Sequence, residues 1–77
     1  MKPIPKEAVV EMSAGMPNWI HVYASTHDAA QLAQEELPKY GLYLAPSIEV
    51  GRIYHSVHIS PLYEVAEVYL YLKELFE

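Results

Sequence analysis

Seventy-seven residues allow one domain with one small core, and a hydrophobic content of 52% is high for that length. Ten carboxylates against five scattered cations, Lys2, Lys6, Lys39, Arg52 and Lys73, give a net charge of −5 without a basic patch, which argues against nucleic-acid binding. With no cysteine there is neither a disulfide nor a thiolate metal site, so association with another chain is the remaining common source of extra stability.

The first six residues, with two prolines and two lysines, read as an extended arm (1–6), and a single α+β domain is expected over 7–77. The opening MKPIPKEAVVEM lacks the apolar centre of a signal peptide. No apolar run approaches the ~18 residues of a membrane span. A soluble, cytoplasmic protein with no membrane partner is the expectation. EAVVEMS (7–13) is strand-like, AGMPN (14–18) is a turn, and WIHVYAS (19–25) alternates with a two-residue period rich in β-branched and aromatic side chains.

The period then changes. Ser25 or Thr26 can cap a helix whose first turn holds Asp28, where a carboxylate suits the helix dipole. HDAAQLAQEEL carries that helix to Leu37, with Ala29, Leu32, Ala33 and Leu37 inward and Pro38 ending it. LYLAPSIEV (42–50) reads as an edge or bulged strand because Pro46 interrupts it. Gly51 turns the chain into RIYHSVHIS (52–60). There Ile53, His55, Val57 and Ile59 point one way and Tyr54, Ser56 and His58 the other. Ser60-Pro61 predicts a helix start, an N-cap serine with proline at the first helical position, and LYEVAEVYLYLKELF follows as the last helix.

The order ββαββα, with two similar strand–helix units (VYASTHDAAQLA and HISPLYEVAEVY, Ala30 over Ala66), predicts a two-layer α+β sandwich. The sheet is expected to be antiparallel and ferredoxin-like. Both helices would cover one face, in a permuted order where the N-terminal strand takes the place of a final one. The other face then receives Trp19, His21, Tyr23, Tyr54, Ser56 and His58. Such a surface exposes several hundred Å² of ring, the size of the largest patch on an ordinary monomer. It is expected to be covered by a second copy, by the arm, or by a ligand. On the last helix, Leu62, Val65, Val68, Tyr69, Leu72, Leu75 and Phe76 form the inward stripe. Tyr63, Glu67, Leu70, Tyr71 and Glu74 lie outside it, a small apolar patch with a charged rim and a second candidate contact surface.

Catalytic and metal chemistry find little support. His55 and His58, three apart on a strand, face opposite ways, and His21 with His58 lacks a third ligand. Ser56 has no evident oxyanion donors and Ser60 is used as a cap. Neither enzyme activity nor a metal or cofactor is expected. The carboxylates Glu7, Glu11, Glu35, Glu36, Glu64, Glu67 and Glu74 suit a basic protein partner. The reading is therefore a small acidic binding module, homodimeric, an inhibitor or adaptor acting by surface occlusion.

The run from WIHVYASTHDAAQLAQEELPKYG to RIYHSVHISPLYEVAEVYLYLKEL also resembles SPOR domains, in which a strand, a small residue and an Ala-bearing helix recur twice, as around Ala24/Ala30 and Ser60/Ala66. That resemblance implies a ferredoxin-like sheet whose open face binds peptidoglycan glycan strands. The chain departs from the family pattern at His21, where glutamine is favoured, and lacks the glycine after the strands and the last strand.

Overall fold

The computed structural model describes residues 8–49 and 51–77. The arm expected over 1–6 lies outside them, as do Glu7 and Val50 at the ends of two expected strands. Four strands, β1 (Ala8–Met12), β2 (Trp19–Ala24), β3 (Gly41–Glu49) and β4 (Arg52–Ile59), and two helices, α1 (His27–Glu36) and α2 (Val65–Phe76), follow the order ββαββα. The strands form one open antiparallel sheet in the order β1-β2-β4-β3, an α+β fold.

Register decides which side chains share a face. Ile20 lies opposite Val57, Val22 opposite His55, and Ala24 opposite Ile53. With Ala8 and Val10 of β1 they point into one hydrophobic cluster that includes Ala29, Ala30 and Ala33 of α1 and Val68, Leu72 and Phe76 of α2. The buried residues of α1 are all alanines, Ala29, Ala30 and Ala33, with Leu32 half-buried beside them. Leu37 completes the cluster from the short 3₁₀ turn Leu37–Lys39 that follows α1.

Local chemistry accounts for the boundaries. Thr26 caps α1, its Oγ1 accepting the Ala29 N–H at 3.1 Å. Pro38 converts the end of the helix into the 3₁₀ turn, so α1 stops at Glu36, one residue before the expected end. In the β1–β2 turn, Asn18 takes φ +81°, a left-handed conformation that asparagine tolerates better than most residues. Pro46 behaves as expected. β3 is an edge strand, and its pairing with β4 slips between Leu44 and Ser47.

One expectation fails. Ser60-Pro61 does not start α2. The Ser60 N–H donates to the Tyr40 carbonyl at 2.8 Å, which extends the β3–β4 ladder and holds Ser60 with the sheet. The chain then turns, with Tyr63 N–H to Ser60 C=O at 3.0 Å and Leu62 N–H to Ser60 Oγ at 3.2 Å. α2 begins four residues later than that start implied, at Val65, after an extended Glu64 that makes no side-chain cap. Leu62, assigned to the inward stripe, is consequently 89% exposed.

Candidate functional site

The face of the sheet away from the cluster carries the expected ring-bearing residues. β2 contributes Trp19, His21 and Tyr23, and β4 contributes Tyr54, Ser56 and His58, with Trp19 opposite His58, His21 opposite Ser56, and Tyr23 opposite Tyr54. These side chains meet one another. The Trp19 and His58 rings lie 5.0 Å apart, Tyr23 and Tyr54 5.0 Å, and His21 stacks on Tyr54 at 5.3 Å. The Tyr54 hydroxyl and His21 Nδ1 share a 2.6 Å hydrogen bond, which fixes both rings. The result is a connected bank of rings across two central strands. Such rings combine a large apolar area with a few polar handles. Burial holds the His21 pKa below its ordinary value, opposed by the carboxylate of Glu11 on β1.

Ser56 is on this face by register but only 4% exposed, so it adds little area to the surface. A small side chain between larger neighbours on a central strand is overshadowed by them. His58 is exposed at the end of the bank, and Trp19, His21, Tyr23 and Tyr54 are half-buried.

Two features of this face were not anticipated. Leu42 and Leu44 of β3, paired with His58 and Ser56, extend it with apolar side chains that are 64% and 43% exposed. The alternation in GLYLA carried that signal. At the end of the bank Trp19 also lines a cleft of about 340 Å³, walled by Met12, Ser13, Pro17, Asn18, Val65 and Ala66 where the β1–β2 turn approaches the start of α2. No local sequence pattern brings those segments together.

The second candidate surface is more dispersed. Tyr63, Leu70 and Tyr71 are exposed, as are Glu67 and Glu74. Tyr63 and Tyr71 are brought together by Tyr40, which follows the 3₁₀ turn, with ring separations of 5.4 Å and 6.1 Å. Burial, followed by the neighbouring Tyr71 and Glu36, pushes the Tyr40 hydroxyl pKa up. Tyr69 and Lys73 are on the same helix, with the Lys73 ammonium 5.5 Å from the Tyr69 ring centre and 3.1 Å from Glu77 Oε1.

His55 and His58 face opposite ways, as their spacing required. His55 is 1% exposed among the core side chains, its Nδ1 bonded to the Tyr43 hydroxyl at 2.7 Å. Among the described residues no group of three or more His, Asp or Glu could hold a metal ion. No described helix is long and apolar enough to cross a membrane.

No family model, no curated protein and no solved structure matches this chain. The likeness to SPOR domains therefore stands on the residues quoted for it alone.

Proposed function

We propose that this chain is a small acidic protein-binding module without enzymatic activity, a homodimer that acts in the cytoplasm as an inhibitor or adaptor by covering a surface of its partner. The bank formed by Trp19, His21, Tyr23, Tyr54 and His58 carries this reading. Aromatic side chains held rigid by mutual stacking lose little entropy on binding and are the residue types that anchor protein interfaces. The cleft beside Trp19 is a ready pocket for one apolar side chain of the partner. Glu11 on the same sheet face and the exposed Glu64, Glu67 and Glu74 favour a partner with a basic surface. The frame is a permuted ferredoxin-like two-layer sandwich. The order β1-β2-β4-β3 supports it, because it is the order obtained when the last strand of that fold is moved to the front.

A second reading, glycan binding on the same face, is favoured by the stacked His21–Tyr54 pair, since flat rings with polar edges also suit sugar rings. One comparison separates the two. Immobilised wild type is expected to capture a protein that the double variant Tyr23→Ala/Tyr54→Ala does not, and to leave purified peptidoglycan sacculi in the supernatant. Co-sedimentation with sacculi that the same double variant abolishes would replace the protein-binding reading with the glycan one.

A further inference from the structure

The two edges of the sheet differ. β1 is five residues long, and its Val10 N–H is occupied by the Glu77 carboxylate at 2.9 Å, so the end of α2 guards that edge. β3 is nine residues long and carries no charged residue from Gly41 to Ile48 in a chain of net charge −5. Edge strands are ordinarily protected by charges, prolines, bulges or a covering element. Among the described residues the protection of β3 is confined to Pro46 and the slip between Leu44 and Ser47, which leaves residues 41–45 as an unguarded stretch.

We propose that β3 pairs antiparallel with β3 of a second copy, about a two-fold axis at Tyr43. The proposal rests on the reading above only in taking the chain to be a homodimer, and it assigns the contact to the sheet edge instead of the ring-bearing face. The bond from Ser60 N–H to the Tyr40 carbonyl marks Tyr40 as a residue bonded toward β4. Antiparallel alternation then turns the N–H and C=O of Gly41 and Tyr43 outward, away from β4. With the axis at Tyr43, that residue faces its own copy, Gly41 faces Ala45, and Leu42 faces Leu44. Small residues meet small, and the two exposed leucines of each copy form two cross-strand Leu–Leu pairs. No charge enters the pairing, so the acidic character of the chain does not oppose it there. The axis stands perpendicular to the sheet, and the ring banks of the two copies become parts of one continuous surface. The slip between Leu44 and Ser47 breaks the regular alternation beyond Ala45, which holds the contact to five residues per copy. Five residues per copy are few beside the roughly 20–30 per side of a standard interface, so a weak dimer is expected.

Sedimentation equilibrium between about 5 and 500 μM tests it, a range that brackets weak dissociation constants. Wild type is expected to pass from one copy to two, and Leu42→Lys/Leu44→Lys to remain a monomer with unchanged circular dichroism, because both side chains are exposed. Register is tested separately. A mixture of Leu42→Cys and Leu44→Cys variants, in a chain with no other cysteine, is expected to form disulfide-linked dimers under mild oxidation severalfold more than either variant alone. A wild type that stays monomeric, or a mixture that cross-links no better than its components, would overturn the proposal. So would a dimer that survives the lysine variant and is lost in Tyr23→Ala/Tyr54→Ala, an outcome that leaves the ring face as the binding surface. A leucine-dependent dimer without ring-dependent capture of any partner would sustain the edge contact and reject the protein-binding reading.

Discussion

His55 makes stability depend on pH. Its ring lies in the core opposite Val22, between Ile53 and Val57 of its own strand, with Nδ1 bonded to the Tyr43 hydroxyl. Among the described residues Nε2 is buried without a hydrogen-bond partner, so the neutral ring is already imperfectly satisfied and a protonated ring is worse. Burial is the cause of the pKa depression, and no carboxylate opposes it. The folded-state pKa therefore lies below the ordinary 6.5, and at intermediate pH the unfolded chain binds the proton that the folded one refuses. Stability is complete above about pH 6.5 and falls as the pH drops toward the folded value. The loss has a limiting slope of about 1.4 kcal/mol per pH unit for one proton. Urea titrations read by Trp19 fluorescence at pH 7.5, 6.5, 5.5 and 5.0 measure the slope. Tyr43→Phe/His55→Leu removes the titrating ring together with the hydroxyl it bonds, and is expected within about 1.5 kcal/mol of wild type at pH 7.5. His21, also depressed by burial, steepens the dependence of both proteins alike, so the difference between them isolates His55. Parallel pH profiles for wild type and the double variant would refute the reasoning.

Other perturbations test separate parts of the frame. A Cβ on Gly41 would overlap the backbone carbonyl oxygen of His58, so Gly41→Ala is expected to cost at least about 2 kcal/mol in chemical denaturation by forcing β3 away from β4. Thr26→Ala is expected to cost about 1 kcal/mol, and Thr26→Ser much less, because the serine hydroxyl can still accept the Ala29 N–H. Glu77→Gln loses the ion pair with Lys73 and weakens the bond to β1. It should lower stability by about 1 kcal/mol and speed hydrogen exchange at the Val10 amide, whereas unchanged exchange there would deny Glu77 its guarding role.

Residues near one another in sequence were enough to establish the kinds of elements and the sides they present. The two-residue period of WIHVYAS and RIYHSVHIS places Trp19, Tyr23 and Tyr54 on one face and Ile20, Val22 and Val57 on the other, because alternation is a property of a single extended chain. The Thr26 cap, the break at Pro38 and the irregularity at Pro46 are equally local. Tertiary structure alone decided the late start of α2, the burial of Ser56, and the meeting of Tyr40 with Tyr63 and Tyr71. Each depends on residues far apart in the chain. Ser60 was an apt helix cap by its neighbours, but a hydrogen bond to Tyr40, twenty residues earlier, held it to the sheet instead. Local preferences amount to about 1 kcal/mol each, and pairing across a sheet commits several backbone groups at once, so where the two disagreed the pairing prevailed.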